Sequence, residues 1–391
     1  MRQMEHVILP GATVGVLGGG QLGKMIALAG ISMGYRFYTL DPAADCPCSQ
    51  VADHHIATNY DDPAGMRVLS EQCQVVTYEF ENVDPDTVAQ LENQVYLPQG
   101  SKLLQITRNR IAEKTTLQSF QLPVAPFVEM RYRHSVTPEM RFLQLKDAVE
   151  VLGLPVVMKT ATGGYDGKGQ WVLRVEQDLE SVREVFTELR YQEIDFIVEK
   201  FVEFECEISV IVARSPRGEV EVFPAAENIH VDNILHMSIV PARIDDGSRK
   251  RAQDIAKQLA DKLQLVGVLA IEMFYQKDGT IVINELAPRP HNSGHYTMDA
   301  CETSQFEQHM RAICNLPLGN TTLQTPVVMV NLLGQHMEGF LQAMPFLSKN
   351  IKAHLYGKNR VVPQRKMGHL NIVADDISQA LALAESLSFL Q

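Results

Sequence analysis

Apolar and polar positions alternate through residues 266–295, VGVLAIEMFYQKDGTIVINELAPRPHNSGH, on both sides of Asp278-Gly279. The pattern predicts a β-hairpin followed by a basic loop. Asp-Gly suits a two-residue turn, because both turn residues need φ > 0. Counting outward from that turn sets Lys277 opposite Thr280, Tyr275 opposite Val282, Met273 opposite Asn284 and Glu272 opposite Glu285. Two carboxylates on one face, with Cβ atoms about 4.5–5.5 Å apart, repel unless a cation lies between them. Glu272 and Glu285 are therefore candidate ligands of a divalent metal, magnesium first, with two unrelated glutamates on a solvated face as the alternative. Pro288 and Pro290 stiffen the loop around Arg289, and His291, Asn292, Ser293 and His295 supply donors beside the carboxylates. A metal pair beside anion donors points to phosphate chemistry.

Elsewhere the pattern predicts a strand at Thr13–Leu17, a helix at Gln21–Met33 with apolar positions 22, 25, 26 and 29, and a strand at Tyr35–Leu40 ending at Asp41. That is a βαβ unit, and Gly18-Gly19-Gly20-Gln21-Leu22-Gly23 between strand and helix satisfies G-x-G-x-x-G, with Asp41 18 residues beyond Gly23. In a dinucleotide fold Asp41 would hold the ribose, so a nicotinamide-dependent oxidoreductase is one reading. The other is a tight turn at a helix N-terminus that binds some other phosphate or simply packs. A strand at Val75–Tyr78 ends at Glu79-Phe80-Glu81-Asn82, where open parallel sheets line their ligand crevice, which makes Glu79 a candidate substrate contact or a helix cap.

A helix is predicted over 102–118 with Arg108, Arg110 and Lys114, then a linker at Pro123 and Pro126. The buried-strand pattern Val156–Thr160 carries Lys159 and runs through Gly163, Gly164, Tyr165, Asp166, Gly167, Lys168, Gly169 and Gln170 into a strand at Trp171–Val175. The glycines make a strand-to-strand loop whose amides and Lys168 could close over phosphates, with a plain flexible turn as the alternative. It is not a Walker A loop, which needs G-x-x-x-x-G-K-[ST] and a following helix. Phe196–Lys200 is a further strand, and period two then puts Glu205, Glu207 and Ser209 on one face. Strand, linker, strand could seat an adenine at the Glu199–Val202 backbone and a ribose on Glu207. Near the C-terminus Ser378–Leu387 reads as an amphipathic packing helix.

Composition narrows the classes. At 391 residues the chain exceeds one ordinary domain, and a net charge of −12 opposes non-specific binding to nucleic acid or anionic membranes. Anionic substrates then need local basic pockets, and 351–369, with Lys352, Lys358, Arg360, Arg365 and Lys366 and no acidic residue, is a candidate beside the alternative of a solvated strand edge. No apolar run approaches the roughly 18 residues of a membrane span, and the N-terminus leads into a strand pattern instead of a signal peptide, so a cytoplasmic protein is expected. Six cysteines without C-x-x-C spacing read as reduced thiols.

The order of parts resembles the ATP-grasp superfamily, and within it the N5-carboxyaminoimidazole ribonucleotide synthetase family. The residues that carry this are G-G-G-Q-L-G-K (18–24), T-Y-E-F-E-N (77–82), G-G-Y-D-G-K-G-Q (163–170), A-E-N-I-H (226–230), N-E-L-A-P-R-P-H-N-S-G-H (284–295) and R-K-M-G-H-L-N (365–371). The resemblance implies an α/β and α+β fold in three parts: a Rossmann-like pre-ATP-grasp domain over 1–105, an ATP-grasp domain over 106–300 and a small C-terminal substrate domain over 301–391. It implies ATP on Arg110, Lys159, Gly164, Tyr165, Asp166, Gly167, Lys168, Gly169, Gln170, Glu199, Lys200, Phe201, Val202, Glu207, His230, Asn284 and Glu285. Magnesium, with manganese as a substitute, would sit on Glu272 and Glu285. The ribonucleotide substrate would meet Gly20, Gln21, Leu22, Glu79, Tyr165, His291, Asn292, Ser293, Lys358 and Arg365. The catalytic candidates are Asp166 and Glu79 toward the amine, Arg289 toward bicarbonate and Lys168 toward the transferred phosphoryl group. The expected reaction joins 5-aminoimidazole ribonucleotide, bicarbonate and ATP, and the expected assembly is a homodimer. Rival readings are another ATP-grasp ligase, the oxidoreductase above, and a non-catalytic nucleotide-binding regulator.

Overall fold

The computed structural model describes residues 7–132, 137–163 and 168–390. Contacts divide the chain into two compact units, one of Met1–Leu104, Cys206–Glu272 and Leu286–Gln391, the other of Gln105–Glu205 and Met273–Glu285.

In the first unit the N-terminal pattern becomes a parallel sheet with strand order His54–Ile56, Arg36–Leu40, Thr13–Leu17, Val75–Tyr78. Val75–Tyr78 is buried throughout, as a parallel strand covered on both faces must be. Helix Gln21–Ser32 packs Leu22, Met25 and Ile26 into a core with Val14, Val16 and Phe37, so the 3.6-residue spacing read from the sequence is the buried stripe. A second sheet, all but residues 273–275 and 281–285 of it in this unit, runs Ile281–Ala287, Gly267–Tyr275, Cys206–Arg214, Ala226–Val231, Ile234–Val240, Val327–Leu333, Lys366–Val373, Ile351–Leu355, with Val220–Val222 paired to Cys206–Arg214. The expected C-terminal helix forms as Ile377–Glu385, burying Ala380 and Ala384.

The second unit carries an antiparallel sheet ordered Phe127–Met130, Phe196–Lys200, Val156–Thr160, Gln170–Leu173. Helices Pro138–Leu152 and Glu176–Glu188 cover it, with Phe142, Leu145, Val182 and Phe186 in the core.

Three local expectations need correction. The helix over 102–118 is two helices, Ser101–Thr107 and Arg110–Ser119, because the Asn109 side chain accepts from the amides of Ile111 (3.0 Å) and Ala112 (3.1 Å) and caps a new start. The strand expected to reach Val175 stops at Leu173, where Asp178 takes the amides of Arg174 (2.7 Å) and Val175 (3.1 Å) and opens a helix. The hairpin turn is longer by one residue. Gln276 N–H bonds Thr280 O and Gly279 N–H bonds Gln276 O, both at 2.9 Å, and Gly279 alone of the turn has positive φ, +84°. This is a three-residue loop with a glycine bulge. Pairing starts at Gln276 with Thr280 instead of Lys277 with Thr280, so the count that put Glu272 opposite Glu285 is out by one.

Candidate active site

In the first unit the glycine turn is closed by the protein's own acids. Gly20 caps helix Gln21–Ser32, and its N–H donates to Glu79 Oε1 at 2.5 Å while Gly23 N–H donates to Oε2 at 2.9 Å. Gly19 N–H donates to Asp41 Oδ2 at 2.8 Å, and the Tyr60 hydroxyl donates to the same oxygen at 2.7 Å. The helix N-terminus favours an anion, and here a carboxylate fills the place of a pyrophosphate. Asp41 is likewise spent on backbone and Tyr60. A Cβ at Gly20 would fall on Glu79 Oε1, which explains the glycine without any dinucleotide. Burial raises the Glu79 pKa above the usual carboxylate value, by more than the two amides and Arg289 lower it. Of the expected ribonucleotide contacts here, Leu22 is buried and Gln21 half-buried.

Glu81, which the sequence reading passed over, is the partner of Arg289. Arg289 Nη2 donates to Glu81 Oε1 at 2.9 Å, Nε donates to Oε2, and Nη1 reaches Pro290 O at 3.2 Å. The fork grips the carboxylate in two places and holds the Glu81 pKa down against a burial that pushes it up. The loop beyond is cross-braced. Asn292 and Asn331 exchange amide hydrogen bonds (2.9 and 2.5 Å), and Ser293 Oγ meets His291 Nδ1 (2.9 Å) and accepts from Ser209 (2.8 Å). His291 Nε2 lies 3.4 Å from Glu272 Oε1. Burial first, then Arg289, Lys366 and His230, drive the His291 pKa well below its usual value, so the imidazole is neutral. His230 Nδ1 lies 3.3 Å from Glu207 Oε2, which raises its pKa despite burial.

The basic segment puts Lys358 beside its carbonyl partner Lys366 O, 2.7 Å away. Burial, with Arg365 and Lys366 near, pushes the Lys358 pKa down to about 8. Exposed Arg365 donates to Arg360 O at 2.9 Å.

In the second unit the strand lysine meets an acid from the neighbouring strand. Lys159 Nζ lies 2.6 Å from Glu199 Oε2, and Lys114 Nζ lies 3.2 Å from Glu199 Oε1. Burial would raise the pKa of Glu199, but the two cations hold it down at about 2. The sequence assigned Glu199 to a hinge through its backbone; its side chain also collects two lysines. Arg110 donates through Nη1 to Thr160 O at 3.0 Å and through its amide to Ala161 O at 2.8 Å. Lys200 caps the carbonyls of Gly153 (3.0 Å) and Leu154 (3.2 Å), and Phe201 stacks under Arg174 at 4.9 Å. Val202 and Asn284 are half-buried, and Lys168, Gln170 and Glu285 are exposed. Gly169, at φ +70°, has Thr160 beside it and accepts the Thr160 amide at 2.9 Å. Gly164, Tyr165, Asp166 and Gly167 lie outside the described residues.

Among the described residues no three His, Cys, Asp or Glu side chains gather as a metal cluster. Carboxylate oxygens are the hard donors that magnesium takes, with water and phosphate completing the shell, and the expectation of magnesium on Glu272 and Glu285 rests on that donor chemistry alone.

Fold and site define an ATP-grasp ligase. The ATP-grasp domain model matches residues 115–306, the ribonucleotide synthetase preATP-grasp domain model 11–108, and the phosphoribosylaminoimidazole carboxylase C-terminal domain model 327–383. The chain is 49% identical over 369 residues to the N5-carboxyaminoimidazole ribonucleotide synthase of Bacillus subtilis (strain 168), covering 94% of this chain and 93% of that one. Against the enzyme of the same name from Staphylococcus aureus (strain MRSA252) it is 37% identical over 371 residues, 94% of each. An N5-carboxyaminoimidazole ribonucleotide synthetase solved with ADP superposes with TM-score 0.92 at 54% identity, covering 99% of this chain and 98% of that one. The Aspergillus clavatus N5-carboxyaminoimidazole synthase, solved with ADP and 5-aminoimidazole ribonucleotide, superposes with TM-score 0.86 at 30% identity, covering 97% and 98%. The chain belongs to the N5-carboxyaminoimidazole ribonucleotide synthetase family. It is a C–N bond-forming ligase that carboxylates 5-aminoimidazole ribonucleotide with ATP in purine biosynthesis, and the oxidoreductase reading falls.

Proposed function

We propose the following division of labour for that carboxylation. Bicarbonate is a poor electrophile because its carbon has no good leaving group, and transfer of the γ-phosphoryl group of ATP to a bicarbonate oxygen supplies one. Lys159 and Arg110 hold the ATP phosphates, the 164–170 loop with Lys168 closes over them, and the Glu199–Val202 backbone seats the adenine. Glu207, His230 and Asn284 are the remaining ATP contacts carried over from the sequence. Magnesium, or manganese in its place, on Glu272 and Glu285 would offset charge on the ATP phosphates.

Arg289 binds bicarbonate, then carboxyphosphate, and the bidentate Glu81 pair sets the plane of its guanidinium before substrate arrives. That fixed plane is the observation that carries the assignment. Carboxyphosphate breaks down to CO2 and phosphate with water kept out, and the exocyclic amine captures the CO2. Asp166, with Tyr165, orients or deprotonates the amine, and Glu79, kept poised by burial, lies on the amine side together with Gly20, Gln21 and Leu22. His291, held neutral, with Asn292 and Ser293 braces the ribonucleotide, and Lys358 and Arg365 take its phosphate. The three parts 1–105, 106–300 and 301–391 follow these roles, in a cytoplasmic homodimer. Among the described residues no helix is long and apolar enough to cross a membrane.

The test is isotopic. With [18O]bicarbonate the route through carboxyphosphate delivers one 18O to each inorganic phosphate released. Phosphate carrying no bicarbonate oxygen would exclude that intermediate.

A further inference from the structure

Lys114 has no place in the division of labour above, yet it is a buried cation in direct contact with it. Its side chain is 3% exposed, its Nζ lies 3.2 Å from Glu199 Oε1, and it also donates to Ile283 O at 3.2 Å, one residue before Asn284. The other Glu199 oxygen takes Lys159 at 2.6 Å, and the Lys159 side chain is 12% exposed against 5% for Glu199. Two cations thus share one carboxylate where water is nearly absent. Glu199 faces one more cation than its single charge balances. Lys159, at the strand end and the more open of the two, is the one able to turn away. Lys114 is held by Glu199 and by the Ile283 carbonyl.

We propose that Lys114 is a positioning residue for ATP binding: it keeps Glu199 compensated, so that Lys159 can leave Glu199 for the nucleotide phosphates. Without Lys114, Lys159 is the sole counterion of a buried carboxylate, and moving it would leave that charge uncovered, which is strongly unfavourable. Lys159 would then stay on Glu199 and the phosphates would lose their contact. The inference rests on the assignment of Lys159 to ATP.

The experiment is a set of full-chain variants assayed for the KM of ATP at saturating ribonucleotide and bicarbonate. Lys114→Met raises the ATP KM tenfold or more, with less than a twofold change in the ribonucleotide KM. On a Glu199→Gln background, where there is no charge left to compensate, Lys114→Met changes the ATP KM less than twofold. An unchanged ATP KM in folded Lys114→Met, or additive losses in the double variant, overturns the proposal. Lys159→Met separates the two readings: if it leaves the ATP KM unchanged, the assignment of Lys159 to ATP is what fails. If Lys114→Met does not fold, the wild-type enzyme crystallised with a non-hydrolysable ATP analogue decides. There Lys159 Nζ lies about 3 Å from a phosphate oxygen, with Lys114 still on Glu199; Lys159 remaining on Glu199 beside bound nucleotide overturns the proposal.

Discussion

Lys358, as the proposed contact of the ribonucleotide phosphate, would couple that binding to pH. Its folded pKa of about 8 lies below the ordinary lysine value, so it is a cation below pH 8 and largely neutral well above it. If it holds the ribonucleotide phosphate, the KM for ribonucleotide climbs between pH 7 and 9, and Lys358→Met removes that climb; a wild-type KM flat across this range contradicts the role. The same shift makes a stability statement. Between about 8 and 10.5 the unfolded lysine binds more protons than the folded one, so this group's penalty is greatest below pH 8 and relieved as pH rises to 10.5. Glu81 gives a second residue-scale prediction. Glu81→Gln leaves Arg289 without its carboxylate and lowers kcat/KM for bicarbonate by roughly 10–100-fold through lost positioning, which steady-state assays against bicarbonate would check. Arg289 was readable from the prolines that flank it, whereas its partner lies 208 residues away, and no local pattern reports such a pair. Lys114 was visible only as one charge in a helical stretch, because its proposed role depends on Glu199, which comes from a strand distant in sequence.

At the scale of elements, the sequence reading succeeded where period and caps agree and failed where a single side chain redirects the backbone. The strands at 13–17, 75–78, 156–160 and 196–200 fall where apolar runs put them. Asn109, a helix breaker by side-chain capping, split a stretch whose composition reads as one helix. The Asp278-Gly279 turn was located correctly, but whether it holds two or three residues depends on which amide bonds back, and Asp278 side chain to Thr280 N–H at 2.9 Å helps select the longer form. The glycine turn at 18–23 is the sharpest ambiguity, since the same motif seats a dinucleotide or an internal carboxylate. Gly20→Ala discriminates by sterics: the new methyl displaces Glu79, the melting temperature falls by several degrees as about 1–3 kcal/mol is lost, and ribonucleotide binding weakens. A variant as stable as wild type would mean that Glu79 does not depend on that turn.

Over the whole molecule, each unit is assembled from segments far apart in the chain, with Gln105–Glu205 and Met273–Glu285 forming one and the rest the other. Periodicity is blind to such assembly, because it reports each element along the chain and not which distant segments pack together. In a chain of net charge −12, the cations proposed to serve the anionic substrates are Lys114 and Lys159, Arg289, and those from Lys358 to Lys366. The central claim is that these groups serve one reaction, in which ATP is consumed to carboxylate an amine. The direct measurement is ADP release from ATP and magnesium, with 5-aminoimidazole ribonucleotide and bicarbonate added separately and together. Turnover should rise sharply only with the ribonucleotide present, and its carboxylated product should accumulate in step with ADP. ADP release indifferent to the ribonucleotide, with ATP still bound, would contradict the account.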